Sequence, residues 1–156
     1  MTIRIQAGPF DAQAEADALR AGDLDVGAVV TFVGTVRDVN EGDSVATLEL
    51  EHYPGMTEKA LEAIVDEAHA RFDVRRVLVV HRVGLLAPGD PIVLVAVTGA
   101  HRGAAFDACR FVMDYLKTRA PFWKKERTPQ GERWVEARDT DDAAAARWSG
   151  PPEGVA

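Results

Sequence analysis

The ten residues "DPIVLVAVTG", Asp90 to Gly99, constrain this chain more than any other stretch. From Ile92 to Val97 every side chain is apolar and every second one is valine. The run is far shorter than the ~18 apolar residues that a membrane span needs. Its β-branched content, with no polar face, reads as a strand covered on both sides in the middle of a sheet. The rest of the chain must therefore supply neighbouring strands and two covering layers.

Those partners are legible. "TIRIQA" alternates as a short strand, and "FDAQAEADALRAG" has helical composition closed by a glycine. "VGAVVTFVGTV" (residues 26–36) and "VATLELEHY" (45–53) read as strands on either side of the polar stretch "RDVNEGDS", a hairpin loop. Leu61, Ile64, Val65, Ala68 and Phe72 recur at helical spacing, with Glu58, Lys59, Glu62, Asp66 and Glu67 on the opposite face. "VRRVLVVHRVG" is a further strand, joined to the central one by the turn "LLAPGD". A helix is expected from Gly103 to Arg119, burying Ala105, Ala108, Cys109, Val112 and Leu116, until Pro121 turns Ala120 away from helical angles. "PFWKKER" and "RWVEAR" suit a final hairpin around "TPQG". Strands and helices mix without regular βαβ alternation, so the expected class is α+β.

At 156 residues and 47% hydrophobic, the chain suits one domain over residues 1–148, burying roughly 70% of its unfolded surface. The stretch "SGPPEGVA" (149–156) is expected to be a disordered tail. Eighteen basic against 25 acidic residues give a net charge of -7, so no general field attracts nucleic acid or an anionic membrane. Any bound anion must be held by a local cluster of cations. The N-terminus lacks a basic segment followed by a long apolar one, and a cytoplasmic protein is expected. One cysteine and four scattered histidines offer no metal-ligand spacing, so neither a metal nor a cofactor is expected.

Cations gather at two places. "VAVTGAHRG" runs from the buried strand into a helix start, where free N–H groups, the helix dipole, His101 and Arg102 suit an anion. The plainer alternative is that His101 caps or packs and Arg102 is solvated. The "HR" of "VVHRVG", His81 and Arg82, repeats the dipeptide with no helix behind it and is given no role. "MDYLKTRAPFWKKE" is the second place. Strand alternation puts Phe122, Lys124 and Glu126 on one face and Trp123, Lys125 and Arg127 on the other. The turn can thus bring Lys117 near Lys124, each lowering the other's proton affinity. Equally, Lys117 can pair with Asp114 one helical turn back. Arg37 and Arg138 each end a strand, where a side chain can reach a cleft or simply meet water.

In their order, "GAVVTFVGTVRD", "LEHYPGMTEKAL", "GDPIVLVAVTGAHR", "FVMDYLKTRAPFWKKE" and "RWVEAR" resemble the blocks of the catalytic large subunit of molybdopterin synthase. The likeness spans most of residues 26–138. It implies an α/β hammerhead fold and a homodimer with a small ubiquitin-like sulfur-carrier subunit at each end, a heterotetramer overall. The carrier's C-terminal Gly-Gly tail, as a thiocarboxylate, would deliver sulfur to cyclic pyranopterin monophosphate (precursor Z), making the dithiolene of molybdopterin for molybdenum cofactor biosynthesis. Matched residue by residue, the resemblance assigns catalysis to Lys117 and Lys124 and substrate binding to Arg37, His101, Arg102 and Arg138.

Two rival chemistries stay open on the residues alone. Lys117 with a depressed pKa beside an anion site also fits a Schiff-base enzyme. A cationic groove that only docks a ubiquitin-like tail fits a binding module.

Overall fold

A computed structural model describes residues 2–40, 43–44, 47–135 and 139–149. In chain order, β1 (Ile3–Gln6) leads into α1 (Ala12–Arg20), capped by Asp11, whose carboxylate accepts from the Ala14 N–H at 3.0 Å. Then come β2 (Ala28–Thr35), a ribbon of β3 (Val39–Asn40) with β4 (Asp43–Ser44), β5 (Thr47–His52) and α2 (Met56–Arg71). The chain continues through β6 (Arg76–Arg82), β7 (Gly84–Leu86), β8 (Pro91–Gly99), α3 (Arg102–Arg119), β9 (Phe122–Thr128), β10 (Gly131–Val135) and α4 (Asp139–Ala146).

The class is α+β, built on two four-stranded sheets. The first has the order β1-β6-β8-β2, so the apolar strand β8 is interior, antiparallel to both neighbours. Its alternation explains why both faces are apolar. Val93, Val95 and Val97 join Val77 and Val79 beneath Leu61, Ile64, Val65, Ala68, Ala105, Ala108 and Val112 of α2 and α3. Leu94 and Ala96 join Leu78 and Val80 on the reverse face, where Ala12 and Leu19 of α1 cover them. Cys109 lies in the first of these layers, and burial pushes its thiol up to about 11.

The second sheet has the order β10-β9-β5-β7, with Val36, Leu48, Leu50 and Leu86 at its core. It departs from the sequence reading in one respect. The segment 74–84, expected as a strand, forms β6 of the first sheet over Arg76–Arg82, whereas Leu85 and Leu86, expected in the turn "LLAPGD", join Gly84 in β7 and pair with β5 in the second sheet. Gly84, at φ 95°, takes a left-handed conformation that lets the chain change sheets.

Two further differences concern the C-terminal part. The last hairpin has its second strand at Gly131–Val135 rather than 133–138, and residues 136–138 lie outside the described residues. Helix α4, unanticipated, starts with the acidic run "DTDD" and continues in alanine, the best helix former. It ends near Trp148, whose ring meets Phe72 and Phe111 edge-on at 5.6 Å and whose Nε1 donates to Asp114 at 2.8 Å. Residues 150–156 of the expected tail lie outside the described residues. No helix among those described is long and apolar enough to cross a membrane.

Candidate active site

Helix α3 ends where Pro121 forbids its continuation, and Ala120 is extended at φ -85°, ψ 131°. The reversal is tied down from α2. The Thr57 hydroxyl donates to the Pro121 carbonyl at 3.0 Å and accepts from the Tyr53 N–H at 2.9 Å. Phe122 then lies flat on the imidazole of His81, with ring centroids 3.8 Å apart and planes 14° from parallel. From that fixed start, β9 alternates: Trp123 and Arg127 are exposed, Lys124 is half-buried and Glu126 is buried against Arg133 at 3.0 Å.

The alternation decides between the adjacent lysines. Lys125 projects to the outer face, 2.8 Å from Glu132 and 5.5 Å from the centre of the Trp134 ring. Lys124 is on the Phe122 side. The charges of both Lys117, at the end of the helix, and Lys124, at the start of the strand, reach the buried His81 ring. Burial foremost, then the charges of Lys124, Lys117 and His52, push the His81 imidazole down to about 3. The alternative partner for Lys117 is engaged elsewhere. Asp114 accepts from Trp148 and lies 3.8 Å from Arg147, and among the described residues Lys117 makes no ion pair.

The sign of that shift gives a stability prediction. Below the ordinary imidazole pKa of ~6.5 the unfolded chain takes up a proton at this position and the native chain does not, so stability falls as pH falls. The slope from this residue approaches about 1.4 kcal/mol per pH unit until the pH nears the native value. His81→Phe should flatten this slope, as measured by urea midpoints at neutral and mildly acid pH. An unchanged slope would show that His81 is protonated in the native state.

The remaining candidates divide between two ends of the first sheet. His81, Val93 and Gly34 share one row across β6, β8 and β2. Exposed Arg37 follows just past that end of β2, where the Val36 N–H donates to the Asp90 carbonyl at 2.9 Å. His101 and Arg102 are at the opposite end, beside the Ala28–Gly99 pair. Both are exposed, and His101 occupies the N-cap of α3 without a side-chain capping bond. With Gly27, Ala100 and Gly103 they line an open depression of about 480 Å³. Gly27 is required there, because a Cβ at this position would lie 2.2 Å from the Ala100 carbonyl oxygen.

The expected meeting of the His101–Arg102 corner with the two lysines therefore does not occur within one chain. Fifteen helical steps separate Arg102 from Lys117 along α3, roughly 22 Å at ~1.5 Å per residue. Arg138 lies outside the described residues. Conversely, His81, which sequence reasoning set aside, is in the middle of the lysine end. No local signal marks it, because its neighbour Phe122 comes from a distant strand of the other sheet.

Known proteins with this architecture are close. The family described as "MoaE protein" matches residues 5–119. A relative from Ralstonia nicotianae named "Molybdopterin synthase catalytic subunit" is 63% identical over 147 residues, covering 94% of this chain and 84% of that protein. The solved "Molybdopterin biosynthesis MoaE protein" from Burkholderia ambifaria superimposes with a TM-score of 0.82 at 62% identity, over 96% of this chain and 98% of that one. A more distant structure, titled as molybdopterin synthase from Staphylococcus aureus, gives a TM-score of 0.79 at 33% identity, over 85% and 96% of the two chains.

Proposed function

This chain belongs to the MoaE family of molybdopterin synthase catalytic subunits, and from that premise we propose that it transfers sulfur from a carrier protein to a cyclic pterin phosphate. The donor is the C-terminal thiocarboxylate of a small ubiquitin-like carrier, and the acceptor is precursor Z, which gains the dithiolene of molybdopterin. The reaction is assigned to the cytoplasm. The observation that carries this reading is that the charges of Lys117, in the last turn of α3, and Lys124, in β9, both reach the buried His81 ring.

The task has a definite electrostatic difficulty. A thiocarboxylate and a phosphate are both anions, and at ~4 Å in an effective dielectric of ~20 they repel by about 4 kcal/mol. Fixed cations offset that repulsion. Lys117 is assigned to the tail's carbonyl, where an ammonium stabilises the charge that develops as sulfur attacks, and can act as acid or base. Lys124 orients the substrate and shares the proton transfers. Arg37, His101, Arg102 and Arg138 hold the phosphate and pterin.

Because His101 and Arg102 are on the far end of the sheet, this assignment requires a second copy of the chain. β2 is an edge strand, with Val29, Phe32 and Val33 exposed along it. Pairing two such edges antiparallel about a two-fold axis sets the Ala28 end of one strand against the Thr35 end of the other. The His101–Arg102 corner of one protomer then lies beside Arg37 and the lysines of its partner. The site becomes a property of the homodimer, with one carrier at each of its two equivalent ends.

The direct test is to mix the purified protein with thiocarboxylated carrier and precursor Z and to follow dithiolene product. Product that depends on all three components is expected. Competent components that yield none would defeat the assignment.

A further inference from the structure

Lys117 has no counter-ion among the described residues, although its own helix carries an acid at the right spacing. Of the residues three and four positions away, Met113, Asp114, Ala120 and Pro121, only Asp114 is acidic. An exposed lysine ordinarily pairs with a carboxylate so placed on a helix. Here it does not, and the reason lies 34 residues further along the chain.

The Asp114 side chain is largely withdrawn from water, at 14% exposure, and is engaged from the C-terminal segment. Trp148 Nε1 donates to its Oδ2 at 2.8 Å, and the Arg147 guanidinium lies 3.8 Å from the same oxygen. The tryptophan is itself held. Its ring meets Phe72 and Phe111 edge-on, the Tyr115 hydroxyl donates to its carbonyl at 3.3 Å, and its N–H donates to the Ala145 carbonyl of α4 at 3.1 Å. The acid that reaches this end of α3 from α2 is occupied as well. Glu67 lies 3.6 Å from Arg119 and 3.5 Å from Arg71, and the Arg119 guanidinium rests over the Tyr115 ring at 3.7 Å.

We propose that Trp148 and Arg147 are positioning residues for Lys117: the C-terminal segment takes up the Asp114 carboxylate and so keeps the Lys117 ammonium uncompensated and free for an anionic reactant. A hydrogen bond from an indole fixed by packing holds the carboxylate at no cost in side-chain freedom, whereas an ammonium on a flexible stem must lose that freedom to compete for it. Released, the same carboxylate would neutralise the ammonium one helical turn on. It would also put a negative charge beside a pocket that must admit a thiocarboxylate and a phosphate. Helix α4 and Trp148 therefore do more than cover Phe72 and Phe111. Neither Trp148 nor Arg147 needs to touch a reactant.

The kinetic part of this proposal rests on the sulfur-transfer assignment, and amine reactivity tests the electrostatics without it. Arg147→Ala combined with Trp148→Phe keeps an aromatic ring against Phe72 and Phe111 and removes both donors to Asp114. Acylation of Lys117 at fixed pH, read by peptide mapping, should slow about 2-fold or more, because a paired amine is held in its unreactive ammonium form. Adding Asp114→Asn should return the rate to the wild-type value, which repair of lost packing could not do. An unchanged rate in the double variant, or a fall that Asp114→Asn does not reverse, would overturn the proposal. If the double variant does not fold, Asp114→Asn alone decides. Its Lys117 should react at the wild-type rate, since the carboxylate is already taken, and a rate about 2-fold faster would show that Asp114 compensates Lys117 in the native protein.

The second measurement is turnover with thiocarboxylated carrier and precursor Z. The double variant should lower kcat about 3-fold or more with carrier affinity little changed, and Asp114→Asn should recover that loss. Wild-type kcat in the double variant, or equal losses with and without Asp114→Asn, would overturn the positioning role. Failure of the wild-type protein to yield product would sink the sulfur-transfer assignment and leave the amine rates untouched.

Discussion

Lys117→Ala should leave the carrier bound and cut dithiolene formation by roughly 10²- to 10³-fold, the loss expected when one charge-stabilising donor leaves a preorganised site. Lys117 is exposed, in the last turn of α3, and has no ion pair among the described residues, so its truncation removes no packing. Stability should change by no more than about 0.5 kcal/mol. On this assignment the carrier would dock through its tail and body together, whereas one ammonium would contribute chiefly where charge develops. The effect therefore belongs in kcat, with the carrier's Kd nearly constant. Isothermal titration with carrier and single-turnover kinetics on the same preparation separate the two.

The same variant discriminates the rival chemistries. A module that only docks the tail would lose affinity and have no turnover to lose. A Schiff-base enzyme would form an adduct on Lys117 that borohydride traps with a carbonyl substrate, and sulfur transfer predicts no such adduct. Lys117→Arg should fall between wild type and alanine, since arginine keeps the charge but does not exchange protons near neutral pH.

Co-expression of two inactive variants, Lys117→Ala and Arg102→Ala, should restore activity to roughly a quarter of wild type, from an almost silent background. The arithmetic follows from a site shared across a two-fold axis. Random pairing makes half the dimers mixed. In each mixed dimer one site combines both defects and the other has neither, so a quarter of all sites are intact. Were Lys117 and Arg102 to serve the same site from one chain, every site would carry a defect and mixing would restore nothing. The roughly 22 Å of helix between these residues makes the shared site the expected outcome.

The strands and helices that bury a full face were legible without coordinates. β8 declared itself because it is covered on both sides, and α2 because Leu61, Ile64, Val65 and Ala68 recur at helical spacing and are all buried. β7 was not, because three residues, the first of them a glycine, carry too little pattern to reveal which sheet they join. α4 carried a usable signal in "DTDDAAAARW", and only its brevity and the neighbouring disorder-prone composition concealed it. Strand alternation told only that Lys124 and Lys125 face opposite ways; the fold puts Lys124 on the Phe122 side, and Glu132 and Trp134 explain where Lys125 goes instead.

The distance between Arg102 and Lys117 was also present in the sequence, since a helix of known length has a known rise. What that distance meant required the fold: α3 runs back along β8, so both elements separate the same two ends of one sheet. His81 was beyond reach for a different reason. Its surroundings depend on the ring of Phe122, which arrives from another sheet, and on two lysines whose charges reach it only after Pro121 reverses the chain. Periodicity, capping and turn chemistry are local, and a single sequence records them. Which buried imidazole faces which cation is set by how two sheets pack, and only the assembled tertiary structure decides it.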